Sequence, residues 1–235
     1  MIAGLLKKYR NTYHKVVPFD PSKDKLLTMD LTAKNSQLTA DILQNIGQFS
    51  KYINDTLHAQ NALYGIGGYK ENRTVYNQFN LFEKNKNEPV SLVEEPRTLH
   101  LGIDIWGHAG TAVFAPIGGS IHSFANNNNQ GDYGATIILQ HQLDGVVFYT
   151  LYGHLSLLDI AGLQKGRYIT HGEQIGRFGN VNENGHWPPH LHFQVIQDIE
   201  LMEGDYPGVC RLSEADKYLA NCPDPDLVLN MMRFL

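Results

Sequence analysis

Cysteine is scarce in this chain: 235 residues carry two, Cys210 and Cys222. So small a number excludes a disulfide scaffold, and their separation is unlike a zinc knuckle. Both are expected to be reduced and buried. An excess of charge of one sign is also missing. Nineteen Lys and Arg stand against 24 Asp and Glu, a net −5 without any basic block. That excludes the electrostatic footprint of a nucleic-acid binder or of a protein held on an anionic membrane. No stretch approaches the ~18 apolar residues of a membrane span. The opening apolar run, Ile2 to Leu6, stops at Lys7 and Lys8, short of the ~7–15-residue core of a secretory signal. A cytoplasmic location is expected, the alternative being export by a route without such a signal.

Several catalytic signatures are absent too. The stretch GIGGYK, 65–70, lacks the glycine spacing and the terminal Lys-Ser/Thr of a phosphate loop. Around Ser120, GGSIH lacks the closing glycine of a nucleophile elbow. No H-E-x-x-H helix supplies a glutamate base, and neither cysteine has a histidine beside it in sequence.

What the chain does have is a change of texture. Leu38, Ile42, Ile46, Phe49, Ile53 and Leu57 recur at helical spacing and predict a helix packed on its own domain. Glycines, asparagines and charges then break the period through YGIGGYKENRTVYNQFNLFEKNKNEPV, a connecting segment. From about residue 98 short strand-like runs follow: LHLGIDIW, TAVFAPIGGSIHSFAN, ATIILQH, VVFYTLYGHLS, EQIGRFGN and HLHFQVI. Turn formers separate them, and no helical period is sustained. The expected organisation is a mixed or helical N-terminal region with its connector (1–85), a β-rich domain (86–200) and a C-terminal extension packed on it (201–235). The fold class is mainly β with a helical N-terminal appendage, its core an antiparallel sheet.

Within the β-rich part, five side chains suggest chemistry. His100 and Asp104 are four apart, and residues i and i+4 of one strand share a face. His190 and His192 share a face in the same way, with Leu191 and Phe193 opposite. His154 sits near the end of VVFYTLYGH, where Gly153 leaves room for close approach. Two imidazoles and a carboxylate suit a catalytic zinc ion with an open position, and two further histidines suit acid–base work. The same donor set also suits a non-haem iron oxygenase, or a metal-binding regulatory module without turnover. His14, His58, His108, His122, His141 and His171 lack paired spacing and read as surface or hydrogen-bonded structural groups. His186, on the loop NENGHWPP, is a candidate for the groove wall.

At these motifs the chain resembles the lysostaphin/LytM-type zinc metallopeptidases. That family combines H-x-x-x-D, a Gly/Ala-His-Leu-Ser patch and H-x-H, matched here by RTLHLGID, TLYGHLS and PPHLHFQ, with RTLHLGIDIWGHAGTAVFAPIGGSI and GEQIGRFGNV extending the likeness across roughly 97–197. The resemblance implies His100, Asp104 and His192 as Zn2+ ligands and His154 and His190 as catalytic histidines. It implies a small antiparallel, barrel-sandwich-like sheet forming a groove. Its substrate would be a peptide or peptidoglycan-like chain, or a small amide. The loop before His190 departs from the family's small-residue type, and Trp187 is expected to reshape one wall. The flanks are similar to the peptidase-like segment of fusion proteins, in which it lies between a kinase-like and an aminotransferase-like domain.

Overall fold

The computed structural model of the chain describes residues 2–73 and 95–235. Helix α1 (Ile2–Lys8) is followed by strand β1 (Leu26–Thr28), helices α2 (Ala40–Gln44) and α3 (Ile46–Ala59), and strand β2 (Tyr64–Gly67). Then come β3 (Arg97–His100), β4 (Ile103–Trp106), β5 (Ala112–Phe114), β6 (Gly119–Asn127), β7 (Gly134–Leu143) and β8 (Val146–Leu155). Helix α4 (Leu157–Ile160), β9 (Tyr168–Ile169), β10 (Gln174–Arg177) and β11 (His190–Ile196) follow. The chain ends with β12 (Val209–Arg211), α5 (Ala215–Asn221) and α6 (Asp226–Leu229). The second part of the connector, 74–90, and the expected boundary at 85/86 lie outside the described residues.

Among the described residues, eight strands form one sheet in the order β1-β2-β4-β11-β8-β7-β6-β9. Its neighbours are antiparallel except for the edge pair β1 and β2, which run parallel. That exception follows from connectivity: α2 and α3 supply the long crossover that a parallel pair needs. The mainly β class with N-terminal helices therefore holds, and the N-terminal segment adds strands of its own to the sheet.

Two local expectations change. The helical stripe is interrupted at Asn45, which takes an extended conformation and caps α3 with its side chain (Gln48 N to Asn45 Oδ1, 3.1 Å). Phe49, Ile53 and Leu57 of α3 are buried as the period requires, while Leu38 and Ile42 pack only partly. LHLGIDIW is not one strand either. It breaks at Leu101–Gly102, where Leu101 N donates to the Gly208 carbonyl at 2.8 Å. β3 then pairs with β12, and β4 enters the main sheet.

The sheet has two differently covered faces. On one, Ile103 and Ile105 of β4, Leu191, Phe193 and Val195 of β11, and Phe148 and Tyr152 of β8 join Ile2, Leu6, Val16 and Val17 in the main core. The other face is shared. C-terminal residues Ile199, Tyr206, Cys210 and Cys222 pack over Leu99, Leu101, Ile138 and Leu151 at one end. Phe49, Ile53 and Leu57 of α3, with Trp106 and Trp187, form a separate cluster. The polar members of β4 and β11 lie on this second face. Both cysteines are buried free thiols, and burial pushes them up to about 11 and about 12.

His141 is the buried structural histidine of the group set aside above. Its Nδ1–H donates to the Gly118 carbonyl (3.0 Å), and Nε2 lies 2.7 Å from Thr150 Oγ1. Burial lowers its pKa to about 4, against a weaker opposing effect of that carbonyl. An unfolded histidine takes up its proton near ~6.5. The stability gained by keeping His141 neutral is therefore complete above that pH and is lost as pH falls towards about 4. Going from about pH 7.5 to about pH 5, wild type should lose about 2 kcal/mol more than His141→Gln. Urea midpoints at the two pH values measure this; equal losses would show that His141 stays solvated or protonated in the fold.

Candidate active site

Strand register assembles the site. Across the second face, Gly67 of β2, Asp104 of β4, His192 of β11 and Gly153 of β8 stand in one row. The next row holds Gly65, Trp106 and His190. Thus Asp104 and His192 are direct cross-strand neighbours, with a glycine at each end of their row. A β-carbon on Gly153 would meet the Tyr133 ring at 2.5 Å. His100 arrives from outside the sheet, over the break at Leu101–Gly102, and a β-carbon on Gly102 would lie 2.5 Å from the His192 ring. The convergence of His100 and Asp104 thus depends on a bend around a glycine, not on a shared strand face.

His154 reaches the site by a bulge. Along β8, Phe148 and Tyr152 face the main core, so strict alternation would turn His154 there as well. Instead Gly153 and His154 together oppose Thr136 of β7, where the register shifts between Ala135 and Ile137. His154 takes φ +62°, a costly conformation for a residue with a β-carbon. Its N–H is held by the Tyr133 carbonyl (2.7 Å), and its own carbonyl accepts from Gly179 N (2.8 Å). The bulge moves the ring to the site face, where its centroid lies 4.0 Å from that of His190. Such re-aiming of one side chain is a recurrent use of bulges beside functional sites.

Four imidazoles are oriented by the same device. His100 Nδ1–H donates to the Gly68 carbonyl (3.0 Å), His154 Nδ1–H to that of Asn184 (2.8 Å), and His190 Nδ1–H to that of Pro188 (2.7 Å). His192 uses its other nitrogen, with Nε2–H donating to Gln194 Oε1 at 2.9 Å. The Gln194 amide is itself fixed because its NH2 donates to the Pro207 carbonyl (3.1 Å). With those atoms engaged, His100 Nε2 and His192 Nδ1 face each other at 2.9 Å. Asp104 Oδ1 lies 3.4 Å from the first, 3.1 Å from the second and 4.0 Å from His190 Nε2.

All five groups are buried. Burial lowers His100 to about 3, reinforced by the positive charge of Arg73. It lowers His190 to about 4 and His154 well below the usual imidazole range, the latter helped by His190. Burial opposes ionisation of Asp104, but the facing His100 and the Arg73 guanidinium outweigh it and hold the carboxyl well below its ordinary value. At neutral pH Asp104 is thus a carboxylate beside neutral His100, His154 and His190.

That donor set fits a divalent ion. One atom each from His100, Asp104 and His192 lies within 4.8 Å of the others. Two facing imidazole nitrogens beside a carboxylate oxygen are donors of the kind that zinc takes. His154 and His190 stand beside this group.

Residues 98–203 match Peptidase family M23. Over these residues, which hold all five candidate site groups, the chain is similar to the M23 peptidases. No curated protein matches the chain significantly. Among solved structures, the chain is similar to the catalytic domain of the antimicrobial peptidase lysostaphin from Staphylococcus simulans. The identity there is 23%, covering 73% of this chain and 98% of that one, with a TM-score of 0.38. A solution structure of lysostaphin is 28% identical over 48% of this chain and 41% of that one (TM-score 0.34). A zinc-containing peptidase from Vibrio cholerae is 26% identical over 42% of this chain (TM-score 0.34). This chain spans 27% of the latter's length.

The site's cavity, about 240 Å3, is lined by His100, Asp104, His154, His190 and His192 together with Trp106, Trp187 and Tyr133. Trp106 stacks on His190 at 3.9 Å, so the wall that Trp187 was expected to reshape contains two indoles. His186 is not on that wall. It is exposed, takes φ +63° and borders a separate cavity with Leu43 and Phe49. Gln194 and Arg73 are site residues that sequence reasoning missed. Gln194 had a signal, since HLHFQ continues the same-face alternation by one step. Arg73, in KENRTV, had none.

Proposed function

We propose that this chain is a zinc-dependent amide hydrolase, an endopeptidase of the lysostaphin/LytM type. His100, Asp104 and His192 would hold the ion, and His154 and His190 would be its acid–base pair. The observation that carries this reading is the cluster of three donor atoms from His100, Asp104 and His192, flanked by two more imidazoles whose Nδ1 atoms are held by backbone carbonyls. When bound, zinc supplies a Lewis acid that polarises the scissile carbonyl and brings the pKa of water from 15.7 towards ~7.

The chain's own residues do the rest. A neutral Nε2 on His154 or His190 accepts the proton of the attacking water, and the same proton is returned to the departing amine. The Asn184 and Pro188 carbonyls keep both rings in the tautomer this needs and stabilise each imidazolium as it forms. The indoles of Trp106 and Trp187 exclude bulk water from one side. Arg97, Asp132 and Asp205 line the same cavity and offer charges of both signs to a peptide segment or a small polar amide.

Purified protein is expected to retain one zinc per chain and to cleave members of a panel of peptidoglycan fragments, Gly-rich peptides and small amides, releasing a new amine and a new carboxylate. Stoichiometric iron with oxygen uptake would instead establish the oxygenase reading. Bound zinc without cleavage anywhere in the panel would leave a regulatory module.

A further inference from the structure

Asp104 uses its two oxygens differently. Oδ1 faces the imidazole nitrogens at 3.1 to 4.0 Å. Oδ2 accepts from Arg73 Nη1 at 2.5 Å. Arg73 comes from the N-terminal segment, is 1% exposed, and donates its Nε–H to Glu71 Oε2, also at 2.5 Å. One planar guanidinium thus bridges two carboxylates. Its setting is tightly made: Arg73 N donates to the Thr98 carbonyl (2.9 Å), His100 N to that of Glu71 (2.9 Å), and Leu31 N to Glu71 Oε1 (3.1 Å). Gly68, at φ +109°, also has no room to spare, since a β-carbon there would overlap Arg73 Nη2 at 1.9 Å.

Stability alone does not account for this arrangement. Buried ion pairs are often matched or exceeded by apolar replacements, because desolvation consumes most of the Coulombic gain. What the bridge does provide is geometry. We propose that Arg73 is a positioning residue for metal binding: by occupying Oδ2 of Asp104, it leaves Oδ1 alone to face the ion. A carboxylate confined to one oxygen cannot chelate, so the position needed for water stays open. Glu71 offsets the guanidinium charge, so Asp104, Arg73 and Glu71 together still present net negative charge to a cation. The GIGGYKENR stretch, empty of any phosphate-loop function, thereby acquires a role, with Gly68 supplying the carbonyl for His100 and the space for Arg73. This inference rests on the metal-site reading above.

The test replaces zinc by Co(II), whose visible absorption weakens as its coordination number rises. Arg73→Met and the charge-compensated Glu71→Gln/Arg73→Met are compared with wild type; the double variant covers the case in which the single one fails to fold around an unpaired Glu71. Both should still bind Co(II), with a clearly weaker visible band, and the zinc forms should lose about 10–100-fold in kcat/KM. Arg73→Lys should not restore the band, since an ammonium cannot fork between two carboxylates. A band identical to wild type in the variants, with only thermal stability reduced, would overturn the proposal. So would failure of the double variant to fold, which would assign the guanidinium to the fold. Wild-type protein that binds neither metal would reject the metal-site reading itself, a different outcome from either of these.

Discussion

Asp104→Asn is expected to abolish zinc binding and, with it, the stabilisation zinc confers. An ion that binds the folded chain alone adds RT ln(1 + [L]/Kd), about 2.7 kcal/mol at a hundredfold excess over Kd. For a chain of this size that corresponds to a rise of about 5–10 °C in the melting midpoint. Wild type should show the rise, and Asp104→Asn should show none at the same zinc concentration. The substitution keeps the shape of the side chain but removes the anionic oxygen lying 3.1 Å from His192 Nδ1 and 3.4 Å from His100 Nε2. It also leaves Arg73 with Glu71 as its carboxylate partner, so the metal-free variant should be less stable than metal-free wild type, by up to about 3–5 kcal/mol. These two effects separate cleanly, because one depends on zinc and the other does not. A zinc-dependent rise of equal size in both proteins would remove Asp104 from the ligand set.

The sequence was informative about this site to the extent that the site follows strand periodicity. H-x-H on β11 is legible because alternation alone puts two histidines on one face, and the structure keeps that face. His100 with Asp104 was found for a reason the fold does not use: the segment bends at Gly102, and the two side chains meet across the bend. The inward turn of His154 depends on one extra residue in β8 relative to β7, and so on a pairing register that a single strand's pattern does not contain. Arg73 is further still from legibility. Its role is created by the placement of β2 beside β4, a long-range contact with no local trace in KENRTV. The helical stripe failed at Asn45 for the converse reason, since the cap there is a local preference that interrupts an otherwise continuous apolar period.

His154→Gln and His190→Gln should each lower kcat by about 10²–10⁴-fold while zinc content stays at the wild-type level. Neither ring supplies an atom to the three-donor cluster, so the ion should be retained. The 4.0 Å between their ring centroids adds a second expectation. Two imidazolium ions at that separation, in a buried site, repel strongly, and His190 is among the groups that push the His154 pKa down. The pair therefore holds one proton between its members at a time, and a proton accepted by one cannot be shared out to an independently acting partner. Groups that act as a unit are not additive. The double variant should thus be little worse than the more damaged single variant, with rates measured at saturating substrate and zinc content checked in each sample. Losses that multiply would mean that the two histidines serve separate steps, one receiving the proton from water and the other protonating the amine.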